Sequence, residues 1–143
     1  MSTPDHVFQQ LAHILASRGD RILEFEILPN GADPILKDGC SIGISKQALV
    51  QSFVIARQIF FSLGEASKTS QNEEQEDIPS QILLLFDCEH LTAANYRKRC
   101  LAAALSAHDF STASHAAHER LVNRLESELT LMTTLLTSRL HRH

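Results

Sequence analysis

Residues 82–101 read ILLLFDCEHLTAANYRKRCL, and this stretch decides the fold to expect. Ile82, Leu85 and Phe86 recur at helical spacing, and Leu83 and Leu84 fill in between. A helix that is apolar nearly all round must be buried on more than one side. Asp87, Cys88 and Glu89 make a polar corner, after which the row resumes at Leu91, Ala94, Arg97, Leu101 and Leu105. The second helix carries Ala93, Ala94, Ala102, Ala103, Ala104 and Ala107, a small-residue surface that lets a neighbouring helix come close. Helix, corner and helix make an α-hairpin.

The segments around it follow in order. Thr3 before Pro4 is a helix start, an N-cap hydroxyl ahead of a residue with preset φ. Val7, Phe8, Leu11, Ile14 and Leu15 then line one face, and Gly19 can end the helix. Leu23, Phe25 and Ile27 alternate with Glu24 and Glu26 as in a strand, and Pro29-Asn30-Gly31, Asp33-Pro34 and Asp38-Gly39 signal turns. This predicts an extended arm, with room for a small β-hairpin, wrapped over a helical body. Ser45 can cap a further helix whose stripe runs Leu49, Phe53, Ala56, Phe60 and Leu63, with Gly64 at its end. Residues 65–77 (EASKTSQNEEQED) hold no large apolar side chain and read as an exposed linker, with Asp77 starting the next helix and Pro79 in its first turn. After Asp109, Ser111, Thr112 and Ser114 comes the longest helix. It carries one stripe of Val122, Leu125, Leu129, Met132, Leu136 and Leu140 and an adjoining one of Leu121, Leu131 and Leu135.

The hairpin resembles the repeat of protein prenyltransferase alpha subunits. That repeat runs aliphatic residues, Asn-Pro, two variable residues, Tyr, two more, Trp, two more, Arg. Asp87 stands at the Asn position, Cys88 at the Pro, Leu91 at the Tyr and Ala94 at the Trp, while Asn95 and Arg97 match outright. Thr92 and Tyr96 lie within the same motif. The order of flanking segments is similar to that of the protein prenyltransferase alpha-subunit repeat-containing proteins, over residues 20 to 140. The resemblance implies an all-α fold, the N-terminal portion of an α-hairpin repeat (alpha-alpha superhelix) with a short extended or β-hairpin arm. The chain would divide into an N-terminal helix (1–19), an extended arm (20–44) and a helical-repeat domain (45–143). A last helix with two apolar stripes calls for another hairpin to cover it, and the family's next Trp-and-Arg helix does not follow. Truncation at the C-terminal end is therefore expected.

In function, the resemblance implies an alpha-type scaffold subunit that wraps a prenyltransferase beta subunit, of Rab type in the repeat-containing relatives. The pair would farnesylate or geranylgeranylate cysteines of protein substrates. Zinc and the isoprenoid diphosphate would sit on the beta subunit, with no cofactor in this chain. Asp87, Leu91, Thr92, Asn95, Tyr96 and Arg97 would be repeat-motif or partner-interface residues, and the polar Asn95 and Arg97 would bond across hairpins and towards the partner. In the better-known alpha subunits a Lys and a Tyr in later corners approach the diphosphate. Glu89 and Leu91 stand there here, and an acid facing a diphosphate is repulsive, so no catalytic role carries over. Two other readings stand beside this one: a non-enzymatic helical-repeat adaptor for protein–protein interaction, and an unproductive truncation.

Composition narrows the classes. The chain has 143 residues, one domain's length, with 43% hydrophobic and 21% charged residues. A net charge of −4 argues against a general polyanion binder. Arg97, Lys98 and Arg99 are the one basic cluster, but consecutive helical residues spread around the axis, and one Tyr with no Trp leaves little to stack on bases. Nucleic acid is thus not an expected partner. The local reading of the cluster is two solvated cations and an Arg97 bonded to neighbouring carbonyls or a carboxylate. Cys40, Cys88 and Cys100 read as thiols of a reducing compartment. No run reaches membrane-spanning length and MSTPDHVFQQ is not a signal peptide, so a cytoplasmic location is expected. His115 and His118, with His108 upstream, lack a Cys or acid at ligand-like spacing and read as ordinary exposed histidines rather than zinc ligands. Cys88 beside His90 lacks a supporting acid and reads as a corner with a buried thiol.

Overall fold

Thr3 caps the first helix: its hydroxyl accepts from the His6 backbone N–H at 3.2 Å, and Pro4 opens the helix. The computed structural model describes residues 3–29, 31, 33–66 and 71–140. Helix α1 (Pro4–Ala16) buries Val7, Phe8, Leu11, Ile14 and Leu15 along the expected face. Gly19, at φ +59°, then takes the left-handed turn that leads the chain away.

The arm forms the expected strand and hairpin but is part of the core. Three strands form, β1 (Glu24–Leu28), β2 (Ile35–Asp38) and β3 (Ser41–Ser45), in the spatial order β1-β3-β2. β2 and β3 are an antiparallel hairpin closed by Gly39-Cys40, with Gly39 at φ +61° where a type II′ turn needs a left-handed residue. β1 pairs with β3 in parallel, placing Phe25 against Ile42 and Ile27 against Ile44. Leu23, Phe25, Ile35, Ile42 and Ile44 are buried in the same cluster as the apolar faces of α1 to α4. Each of the larger ones contributes roughly 1.5–3 kcal/mol by leaving water. The expectation of an all-α hairpin superhelix is therefore wrong: the described residues form five helices and a three-stranded mixed sheet that builds the core. The β-branched and aromatic residues of the segment found strand partners, so it is not an arm laid over a finished helical body.

Ser45 does cap the next helix, accepting from the Ala48 N–H at 3.1 Å. Helix α2 (Lys46–Ala66) runs past Gly64 instead of stopping there. Helix α3 (Gln71–Phe86) begins six residues before Asp77. The linker expected over 65–77 is thus cut short from both sides, and its residues 67–70 lie outside those described. Helix α4 (Leu91–Ala107) and helix α5 (His115–Thr137) complete the helices of the described residues. α3 meets α1, α2, α4 and α5, which explains why Ile82, Leu83, Leu84 and Leu85 are all buried. The opening stretch is central, as its all-round apolarity requires.

The end of α5 returns to the sheet. The Leu23 N–H donates to Thr134 Oγ1 at 3.0 Å and the Phe25 N–H to Ser138 Oγ at 3.1 Å. The Arg139 N–H donates to the Phe25 carbonyl at 2.7 Å, forming a parallel bridge beside Glu26. Side-chain hydroxyls and one residue of backbone thus satisfy an edge that would otherwise lie open.

Candidate functional site

The corner between α3 and α4 is shaped by its own polar residues. The Asp87 N–H donates to the Leu83 carbonyl, Asp87 Oδ1 accepts from the Glu89 N–H at 3.0 Å, and the His90 N–H donates to the Asp87 carbonyl. Asx residues favour such turns because their side chains mimic a backbone acceptor. His90 caps α4, its Nδ1 accepting from the Ala93 N–H at 3.2 Å. Cys88 is exposed on this corner, which corrects the reading of it as a buried thiol.

Helical geometry sorts the motif residues into two groups. Leu91 (70% exposed), Thr92 and Asn95 share the outward face of α4. Tyr96 and Arg97 turn inward. Tyr96 stands edge-on to Phe60 of α2, with ring centroids 5.2 Å apart, and Phe53 stacks on Phe86 at 4.2 Å. These rings supply aromatic bulk around the hairpin, beside the small Ala94. The six residues named from the resemblance do not converge on one point.

Arg97 is the centre of the polar structure. Its Nε donates to Glu128 Oε1 at 2.7 Å and its Nη2 to Glu128 Oε2 at 2.8 Å, a fork on a carboxylate of α5. Nη1 donates to Asp77 Oδ1 at 2.8 Å, to the Asp77 carbonyl at 3.1 Å and to Ser80 Oγ at 2.7 Å, all on α3. The Arg97 side chain is only 10% exposed. Burial alone would work against its charge, but Glu128 and then Asp77 outweigh that and hold the guanidinium above its ordinary pKa. A single side chain thereby joins three helices. Lys98 and Arg99 are exposed, as expected of solvated cations.

Beside this node lies a second arginine that sequence reading missed. Arg18, 3% exposed, reaches from the end of α1 to α5. Its Nη1 donates to Thr130 Oγ1 at 2.7 Å, and its Nη2 to the Ser127 carbonyl at 3.1 Å. All its hydrogen-bond partners are uncharged, and its Nε is buried without one. Burial, and secondly the charge of Arg97, push the Arg18 pKa down, against a weaker pull from Asp77 and Glu128. No local motif marks it. Apart from the adjacent Gly19 carbonyl, its side-chain partners lie more than a hundred residues away, as Glu128 lies 31 residues from Arg97.

The two expected stripes of the last helix separate only in part, since Leu125 is half-buried and Leu140, beyond α5, packs against the core. Leu121 and Leu131 are buried, whereas Val122, Leu129 (67% exposed), Met132 and Leu136 (86% exposed) face outward at 3-4 spacing. At the corner before α5 the histidines also divide. His115 is exposed and pairs with Glu119 at 3.0 Å, while His108 and His118 are half-buried and meet each other. Asp109, fully exposed between them in sequence, accepts from the Ser111 N–H and hydroxyl, and its bonds with Ser111 and then Thr112 lower its pKa from 3.8 to about 2.

Among the described residues no helix is long and apolar enough to cross a membrane. No protein-family model, curated protein or solved structure matches the chain.

Proposed function

We propose that this chain is an alpha-type scaffold subunit of a protein prenyltransferase, acting with a beta subunit of Rab type in farnesylation or geranylgeranylation of substrate cysteines. One observation carries the reading. Arg97, which matches the repeat's arginine, ties its own hairpin to the following helix through Asp77, Ser80 and Glu128, as a residue that bonds across hairpins would. Arg suits this because its planar fork makes several directed bonds at once. The outward Leu91, Thr92 and Asn95 and the exposed stripe of α5 offer surface to a partner. On this reading zinc and the isoprenoid diphosphate belong to the beta subunit. The mixed core replaces the pure helical superhelix that the resemblance implied, so the reading rests on the hairpin and its arginine.

Co-expression with a Rab-type beta subunit tests it. The expected result is a heterodimer that stays together on a sizing column and transfers a prenyl group to a cysteine-ended peptide. Clean separation of the two chains would sink the proposal. The second reading, a non-enzymatic adaptor, draws on the same exposed stripe of α5. A stable complex without prenyl transfer would favour it.

A further inference from the structure

The two histidines at the α4–α5 corner form a site that the prenyltransferase reading does not use. His108 follows the last turn of α4 as its C-cap, and His118 lies in the first turn of α5. Their Nε2 and Nδ1 atoms face each other at 2.7 Å, with ring centroids 4.7 Å apart and planes at 64°. Phe110, on the intervening loop, stands edge-on to His108 at 4.6 Å and near-parallel to His118 at 6.2 Å. Two half-buried imidazoles are thus aimed at one point, with an aromatic ring against both.

We propose that this pair chelates a borderline divalent transition ion, Zn²⁺ being the test case, and so clamps α4 to α5. At so short a distance one nitrogen must donate and the other accept, so one lone pair already points into the site and a single proton lies between the rings. Zn–N bonds of about 2.0–2.1 Å at a tetrahedral angle put two donor nitrogens about 3.3 Å apart. The rings therefore need to separate by about 0.6 Å, a small adjustment for a cap residue on extended backbone (φ −86°, ψ 121°). The ion takes the place of the bridging proton, which moves to the other nitrogen of the ring that held it, so both imidazoles stay neutral and a neutral pair releases no net proton. Among the described residues no group of three His, Cys, Asp or Glu side chains is placed to hold a metal. Water would complete the coordination, making an open and exchangeable site.

The test uses the full chain stripped with EDTA and titrated with ZnCl₂, followed by calorimetry and thermal unfolding. The expected result is saturable binding with an upward shift of Tm that EDTA reverses. Both H108A and H118A should weaken binding by more than the roughly tenfold loss typical of an outer-shell substitution, while H115A and C88S leave it unchanged. Far-UV circular dichroism of the metal-free variants separates lost binding from lost folding, and Cu²⁺ in the intact chain should show nitrogen hyperfine structure from two imidazoles. Binding that survives both H108A and H118A, or that disappears equally in H115A or C88S, overturns the proposal, as does the absence of any Tm shift in the intact chain.

Discussion

The two buried arginines differ in what their burial demands. Arg97 gives up solvation but receives two carboxylates and a hydroxyl, so its removal leaves Glu128 facing a space built for a cation. Losing one partner of a buried pair costs about 3–5 kcal/mol. The Asp77 side chain is 49% exposed and that of Glu128 20%, so R97A should fall at about 3 kcal/mol, the lower end of that range. R97K should recover only part of it, because an ammonium cannot grip both oxygens of Glu128 while reaching α3. Urea unfolding of both variants checks this, and an R97A as stable as the parent would remove the node from the account of the fold. Arg18 contrasts with it. It has neutral partners and a buried, unbonded Nε, so much of its desolvation goes uncompensated. An apolar side chain of similar length often does as well in such a place. R18M should therefore cost less than half as much as R97A, measured by the same urea midpoints.

At the level of elements, the contrast is between local and distant causes. The α3–α4 hairpin was legible because its signals lie within twenty residues: the Ile82–Leu85 apolar run, the Asp87 turn, the alanines of α4. Helix starts at Thr3 and Ser45 were legible for the same reason. The first strand, with its alternation at Leu23, Phe25 and Ile27, and the turn at Asp38-Gly39 were legible too. Their assembly into one core sheet was not, because strands of four or five residues carry little periodicity. The parallel pairing of Phe25 with Ile42 joins residues across an intervening strand. Protection of the β1 edge was hidden further still, since Thr134 and Ser138 come from the far end of the chain. Within the candidate site, Arg97 was singled out by its motif, but Glu128, Arg18 and the His108–His118 contact depend on how α5 folds back. The edge contact is open to test. Thr134 is fully buried, and T134V keeps its shape while removing the acceptor of the Leu23 N–H, so it should cost about 1–3 kcal/mol. Loss of amide-exchange protection at Leu23 in particular, beyond that of its neighbours, is the expected signature. The hairpin turn gives a cleaner case of backbone strain. A Cβ on Gly39 meets nothing within 4 Å, yet its φ is +61°. G39A should cost about 1–2 kcal/mol through conformation alone, read as a shift of the urea midpoint with unchanged slope.

For the molecule as a whole, the question is why a helix that closes the core on one side keeps a second apolar row in water. α5 buries Leu121, Leu131 and Thr134 and packs Leu135 against the core, with Arg18 and Arg97 fixing it by polar contacts. Val122, Leu129, Met132 and Leu136 remain exposed beside it, and that exposure along about 21 Å of helix carries a standing cost in solubility. If that row meets the beta subunit, as the scaffold reading holds, a double substitution L129E/L136E should separate stability from assembly. The isolated chain should keep its Tm, since both side chains are already in water in the free state. The heterodimer should weaken by about a hundredfold or more, because each glutamate would bring a charge into an apolar contact without a partner. A pull-down series against the beta subunit, run beside thermal unfolding of the free chain, reads both quantities. Unchanged assembly with unchanged Tm would detach the row from the partner interface and leave the outward face of α4, with Leu91 and Asn95, as the surface to substitute next.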